Sequence, residues 1–196
     1  MNLEQYNSWV FDLDGTLTEP VHDFEHIRRE LGIPPEEDIL SAIAQTAMPE
    51  RRTMLERLDE LERHYAALAQ PAEGALELLE YLFSANCRLG ILTRNTKELA
   101  LVSLDSIGAA QYFASEFVLG RDESSPKPSP EGIKILLNQW GRVSESAVMV
   151  GDFEFDLISG KQAGTITVHV DKADRHWPEV TDYRFSTLSE IIGLLE

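Results

Sequence analysis

The chain has 196 residues, of which 43% are hydrophobic and 26% are charged, a composition typical of a globular protein. Its 34 acidic and 17 basic side chains give a formal net charge of −17. This acidity argues against a DNA or RNA partner, because affinity for nucleic acids comes mainly from Lys and Arg. Since Cys87 is the only cysteine, an intrachain disulfide and a multi-cysteine metal site are both excluded.

Two further absences bear on the cellular compartment. No stretch approaches the roughly 20 apolar residues of a membrane span. The first residues, Met1 to Gln5, lack the basic start and apolar run of a secretory signal. We therefore expect a cytoplasmic protein without a membrane partner.

Short apolar runs alternate with helical patterns along most of the chain. The first strand is predicted at residues 8–11 and ends at the turn Asp12–Gly15. Later strands are predicted at 88–93, 115–120, 147–151 and 165–170, and helices at 74–84, 96–107, 130–140 and 153–163. This alternation predicts an α/β fold with a doubly wound, Rossmann-like parallel sheet and right-handed crossovers.

Residues 18–72 break the alternation, because they contain helical patterns and no convincing strand. The patterns lie at 24–31, 36–47 and 50–69, separated by prolines. We predict an all-helical insert after the first strand, called the cap below, over a catalytic core made of residues 1–17 and 73–196. The alternative is a single irregular crossover packed against the sheet.

Polar residues collect where the predicted strands end. Asp12 and Asp14 follow the first strand, Thr93 ends the second, Asp152 follows the strand at 147–151, and Lys127 lies in a proline-braced loop. Ligands of open parallel sheets bind beyond the carboxyl ends of the strands. These five side chains are therefore expected to converge.

Each residue type suits one task in phosphoryl transfer. Asp12 can attack phosphorus as a carboxylate nucleophile, and Asp14 can act as the acid and base. Asp12 and Asp152 are placed to bind Mg²⁺, which prefers oxygen ligands and offsets repulsion between carboxylate and phosphate. Lys127 and Thr93 can hold the phosphoryl oxygens by charge and by hydrogen bond.

Four segments resemble the motifs of the haloacid dehalogenase superfamily in its phosphatase form. They are Asp12–Thr18, Thr93 after Gly90-Ile91-Leu92, Lys127 in Lys127-Pro128-Ser129-Pro130, and Gly151–Asp156, in the family's order. The resemblance implies a small helical cap, as in phosphoglycolate phosphatase-like members, and Mg²⁺-dependent hydrolysis through an aspartyl-phosphate on Asp12. It also implies that the backbone carbonyl of Asp14 binds the metal. True dehalogenases lack the second aspartate, so Asp14 favours phosphoryl transfer.

Three more residues accompany these motifs. Asp156 lies four residues after Asp152, and we expect it to contact Lys127 or a metal-bound water. Arg94 and Asn95 follow Thr93 and are candidates for binding phosphate or substrate, with surface solvation as the equal alternative. His22 and His26 lie four residues apart in the predicted cap, where we favour a role facing substrate over metal binding.

The leading hypothesis is thus a phosphatase acting on a small phosphorylated metabolite, with phosphoglycolate or a sugar phosphate suggested by the resemblance. A phosphomutase of the β-phosphoglucomutase type is the first alternative, and a non-catalytic phospho-ligand-binding protein is the second. The cap is expected to set specificity. Six of its arginines are candidates to meet a second anionic group on the substrate, with an exposed role the simpler interpretation for most: Arg28, Arg29, Arg51, Arg52, Arg57 and Arg63.

Overall fold

The computed structural model describes residues 3–21, 23–173 and 175–195. Its six strands form one sheet in which all neighbours are parallel, in the order β3-β2-β1-β4-β5-β6. The strands are β1 Ser8–Phe11, β2 Arg88–Leu92, β3 Val118–Leu119, β4 Ala147–Gly151, β5 Ile166–Val170 and β6 Tyr183–Phe185. The predicted doubly wound α/β fold is confirmed.

Eight α-helices are present among the described residues. They are α1 Phe24–Leu31, α2 Ile39–Gln45, α3 Glu50–Ala67, α4 Ala75–Ser84, α5 Lys97–Ser106, α6 Glu131–Trp140, α7 Glu154–Ala163 and α8 Leu188–Ile192. Helix α2 is shorter than the predicted 36–47, because Asp38 caps its start by accepting the Ser41 N–H at 3.0 Å. Strand β6 and helix α8 were not predicted.

The sheet is buried on both faces, which explains why its strands are continuous apolar runs. Trp9 and Phe11 of β1 point into one hydrophobic cluster with α4, α5 and α8, while Val10 points into another with α6 and α7. Such two-sided burial is typical of parallel sheets flanked by helices. The strand ends are consequently fixed by packing on both sides.

The strand order places the chemistry-bearing residues together. The chain winds in opposite directions from β1, with β2 on one side and β4 on the other. Asp12 follows β1, Thr93 follows β2 and Asp152 follows β4. The crevice where strand order reverses is the usual ligand site of such sheets.

Helices α1, α2 and α3 bury their apolar side chains in a hydrophobic cluster of their own, separate from the two sheet clusters. The chain crosses to these helices and back by two adjacent linkers: Glu19 N–H donates to Gln70 O, and Ala72 N–H donates to Leu17 O, each at 2.9 Å. Lys172, which follows β5, pairs with Glu19 at 3.6 Å and with Glu73 at 3.3 Å. These features support our proposed division into a core and a cap at residues 18–72.

Across the ranges that the structure describes, no helix is both long and apolar enough to cross a membrane.

Candidate active site

A buried lysine lies between two carboxylates at the carboxyl edge of the sheet. Lys127 is 2% exposed; its Nζ contacts Asp12 and lies 2.6 Å from Oδ1 of Asp156. Burial disfavours the charged lysine, yet the two carboxylates raise the pKa of Lys127 above its usual value. Lys127 is therefore a fixed positive charge beside the carboxylate of Asp12.

Asp152 and Asp156 lie close to other carboxylates in a buried site, which disfavours the ionised form of each. Burial, together with repulsion from Asp12 and Asp156, raises the pKa of Asp152 to about 8. Burial also raises the pKa of Asp156 to about 6, although Lys127 opposes the shift. Arg175 gives partial compensation, with Nη2 lying 3.2 Å from Oδ2 of Asp152.

This carboxylate group fits a divalent cation. Ligand oxygens of Asp12, Asp152 and Asp156 all lie within 4.8 Å of one another. Carboxylate oxygens are the donors that Mg²⁺ prefers, and added positive charge would favour the ionised form of Asp152. Among the described residues, the carboxylate of Asp14 does not belong to this group. The metal ligand expected from Asp14 is its backbone carbonyl, not its side chain.

Asp14 and Thr93 meet across strands β1 and β2. The Thr93 hydroxyl donates to Oδ2 of Asp14 at 3.5 Å and accepts the Asn95 N–H at 3.0 Å. Gly15 has a φ of +91°, and a Cβ there would lie 2.9 Å from Oδ2 of Asp152. Only glycine fits this close turn, which brings the loop after β1 against the loop after β4.

The eight candidate site residues in and beside the four motifs line one cavity of about 410 Å³: Asp12, Asp14, Thr93, Arg94, Asn95, Lys127, Asp152 and Asp156. Arg94 is already paired, because its Nη2 donates to both carboxylate oxygens of Asp38 on the cap, at 2.8 and 2.7 Å. Asn95 is 4% exposed and its side-chain oxygen accepts the Thr96 N–H at 2.8 Å.

The cap contributes lining residues that the sequence did not single out. Glu62 of α3 faces the cavity and pairs at 2.7 Å with Arg121, which follows β3. In the core, Phe153 and Phe155 also line the cavity; they lie between Asp152 and Asp156 in the sequence, but no role was predicted for them. The sequence around Glu62 does not predict this position, because it depends on how α3 packs on the core.

Among the six cap arginines, Arg28 is the one that lines the cavity. It donates to the backbone carbonyls of Glu37 at 3.0 Å and Phe24 at 3.4 Å. His22 lies outside the described residues, and Nδ1 of His26 lies 3.1 Å from the hydroxyl of Tyr65. Of this pair, the described histidine, His26, therefore adds no support for a metal site.

Comparison with known proteins decides the family. The sequence model of the haloacid dehalogenase-like hydrolases matches residues 9–170, most of the chain. The chain belongs to this family. It is accordingly a hydrolase of the phosphatase type that its four motifs predict.

Individual relatives agree with this assignment. The chain is 31% identical over 183 residues to the pyrophosphatase PpaX of Bacillus velezensis, covering 82% of this chain and 81% of the relative. A hydrolase from Pseudomonas syringae superposes with a TM-score of 0.79 at 18% identity, covering 95% and 96% of the two chains. A protein from Haemophilus somnus described as a predicted phosphoglycolate phosphatase superposes with a TM-score of 0.75 at 17% identity, covering 98% and 99%. At these identities the two structures show a shared fold and nothing finer.

Proposed function

We propose that the protein is a Mg²⁺-dependent phosphatase that hydrolyses a small phosphomonoester through an aspartyl-phosphate on Asp12. The observation that carries the proposal is the burial of Lys127 between Asp12 and Asp156, beside carboxylates spaced to bind a cation. A fixed cation next to a carboxylate nucleophile suits attack on a dianionic phosphate, because it offsets the repulsion between them.

In the first half-reaction, a carboxylate oxygen of Asp12 forms a bond to phosphorus and the bond to the leaving oxygen breaks. Lys127 and the Thr93 hydroxyl hold the remaining phosphoryl oxygens. The carboxyl group of Asp14, which Thr93 contacts at 3.5 Å, gives its proton to the leaving oxygen. The alcohol then departs and the phosphoryl group stays on Asp12.

In the second half-reaction, the carboxylate of Asp14 takes a proton from water as that water attacks phosphorus. The bond between phosphorus and Asp12 breaks, which releases inorganic phosphate and restores both side chains. Asp12, Asp152 and the backbone carbonyl of Asp14 would hold Mg²⁺, which supplies Lewis-acid stabilisation of charge on the phosphoryl oxygens.

The cap would exclude bulk water from the phosphoryl centre during turnover. Its residues Phe24, Arg28 and Glu62 line the same cavity as Lys127. Closure of a lid of this kind strengthens electrostatic interactions inside and protects the covalent intermediate. Phosphoglycolate and sugar phosphates are substrates suggested by the resemblance, and pyrophosphate is suggested by the name of the Bacillus velezensis relative.

The test is phosphate release from a panel of phosphorylated metabolites, with Mg²⁺ and with EDTA. The expected result is release that requires Mg²⁺ and consumes at least one phosphomonoester. Isomerised sugar phosphate without free phosphate would instead support the phosphomutase alternative. Absence of turnover across the panel, with substrate binding retained, would support a non-catalytic binding protein.

A further inference from the structure

The cavity wall beside Asp152 is aromatic. Phe153 and Phe155 pack edge to face with ring centroids 5.2 Å apart, and the ring centroid of Trp177 lies 5.4 Å from that of Phe153. Phe153 is 39% exposed, although it sits directly next to a proposed metal ligand. A partly exposed ring in the lining of a cavity is an apolar surface available to a ligand.

The cap contributes apolar side chains of its own to the same cavity. Phe24 of α1 is 52% exposed and lines the same cavity, together with Ile39 and Leu40 of α2. Rings from the core and from the cap thus border the space next to the phosphoryl centre. The cavity volume of about 410 Å³ lies within the usual range for small-molecule sites.

The charges around this space disfavour a second anionic group. The cap contributes four carboxylates to the lining, those of Glu36, Glu37, Asp38 and Glu62. Two of the lining arginines are already paired, Arg94 with Asp38 and Arg175 with Asp152 and Asp171. Within the described ranges, Arg28 is the lining arginine that has backbone carbonyls, rather than carboxylates, as its partners. Because Arg94 offsets Asp38 and Arg121 offsets Glu62, the cap carboxylates that remain in the lining are Glu36 and Glu37, against one cation, Arg28. This part of the described lining therefore carries a small excess of negative charge and is partly apolar.

We infer that the preferred substrate is a phosphomonoester whose leaving group carries a flat aromatic ring and no further anionic group. The ring packs against Phe153 on the core side and Phe24 on the cap side. Aromatic rings favour offset or edge-to-face contact with one another. The inference rests on the proposed phosphatase function and specifies its substrate class.

The ring can belong to a nucleoside or to a small arylmethyl alcohol, and two matched substrate pairs distinguish these sources. Benzyl phosphate and cyclohexylmethyl phosphate differ in whether the ring is flat, while both leaving groups are primary alcohols. Uridine 5′-monophosphate and ribose 5-phosphate differ chiefly in the base. Phosphoglycolate tests the second anionic group, and para-nitrophenyl phosphate serves as a general phosphatase substrate.

For wild-type protein we expect kcat/KM for benzyl phosphate to exceed that for cyclohexylmethyl phosphate about three- to tenfold. If the ring belongs to a nucleoside, kcat/KM for uridine 5′-monophosphate should also exceed that for ribose 5-phosphate, by about tenfold. Phosphoglycolate should be the poorest of these substrates, because its carboxylate meets the cap carboxylates.

Variants test whether the aromatic side chains of the cavity cause the preference for benzyl phosphate. Phe153→Leu should bring the benzyl to cyclohexylmethyl ratio close to one, and Phe153→Tyr should keep it. If Phe153→Leu does not fold, Phe24→Leu, at an exposed cap position, should lower the same ratio. Phe83→Leu is the matched control, because Phe83 is 52% exposed and packs on Tyr112 outside the cavity lining. Each ratio is read within one variant, so a general loss of activity cancels.

The inference is overturned if wild-type protein treats the benzyl and cyclohexylmethyl esters equally, or if neither Phe153→Leu nor Phe24→Leu lowers their ratio. Faster turnover of phosphoglycolate than of benzyl phosphate also overturns it. In each of these cases hydrolysis of para-nitrophenyl phosphate leaves the phosphatase function intact. No phosphate release from any substrate rejects the phosphatase function itself, and the inference with it.

Discussion

Arg94, which follows β2 of the core, donates from a single nitrogen to both carboxylate oxygens of Asp38 at the start of cap helix α2. Arg121, which follows β3, similarly contacts Asp59 and Glu62 of cap helix α3. The apolar clusters of cap and core are separate. Ion pairs at the carboxyl edge of the sheet are thus prominent among the contacts that hold the cap over the cavity.

The first prediction concerns cap closure. Asp38→Asn removes the charge that holds Arg94 but keeps the helix cap, since Asn is as good a capping residue as Asp. The pair is about a quarter exposed on the Arg94 side and is worth roughly 1 kcal/mol, so the open population should rise about fivefold. Limited proteolysis of the two linkers measures this.

Glu36→Gln is the matched control for this experiment, because Glu36 is an exposed carboxylate that lines the same cavity. It should leave the cleavage rate unchanged. Equal cleavage rates for wild type and Asp38→Asn would show that the ion pair does not hold the cap.

The second prediction concerns the nucleophile. Asp12→Asn preserves the shape of the side chain but removes the oxygen anion that attacks phosphorus, and we expect kcat to fall at least about a thousandfold. Phosphate release with the best substrate of the panel is the measurement, and circular dichroism checks the fold. Asp122→Asn, at an exposed position, should retain wild-type activity. Substantial turnover by purified Asp12→Asn protein would remove Asp12 from its proposed role.

The third prediction concerns the metal. Mg²⁺ at about ten times its dissociation constant stabilises the folded state by about 1.4 kcal/mol, which corresponds to a rise in Tm of about 3–6 °C for a chain of this size. Thermal unfolding with MgCl₂ and with EDTA measures the rise. Asp152→Asn should abolish most of it, whereas Asp122→Asn should not. An identical rise in Asp152→Asn protein would exclude Asp152 as a ligand.

The fourth prediction concerns stability and pH. Burial raises the pKa of Glu62 to about 7, although Arg121 opposes the shift; its usual value is 4.5. The folded protein therefore retains a proton on Glu62 at pH values where the unfolded chain has lost it. This stabilisation is complete below about pH 4.5 and is lost as pH rises through 7, so it falls by about 2 kcal/mol between pH 5 and pH 8.

Glu62→Gln cannot titrate and lacks this dependence. Urea unfolding in EDTA should show the wild-type free energy of unfolding falling relative to the variant across that pH interval. Glu60→Gln is the control on the same helix, at a side chain that is 69% exposed. Parallel pH curves for wild type and Glu62→Gln would mean that Glu62 titrates alike in folded and unfolded protein.

The sheet and its polar residues could be predicted because their signals are local. An apolar run long enough to be buried on both faces defines each central strand, and Asp12 and Asp152 follow such runs directly. Strand β6 has three residues at the edge of the sheet, too few for a recognisable alternation. Short edge strands depend on the neighbour that they pair with, here β5.

Side chains that act between cap and core could not be predicted in this way. Because Arg94 follows Thr93, the sequence makes it a candidate for binding phosphate. In the structure it pairs with Asp38, which lies 56 positions earlier. Glu62 and Arg121 are 59 positions apart. Such pairs depend on the docking of α2 and α3 onto the core, which hydrophobic periodicity within one helix does not specify.

The two linkers leave and rejoin the sheet side by side, tied to each other by backbone hydrogen bonds and to one lysine by two glutamates. Among the described residues, the segment between them contains helices and no strand of the sheet. Substitutions or insertions between the linkers can therefore change the part of the cavity lining that the cap supplies. The core residues proposed to cleave the bond stay the same.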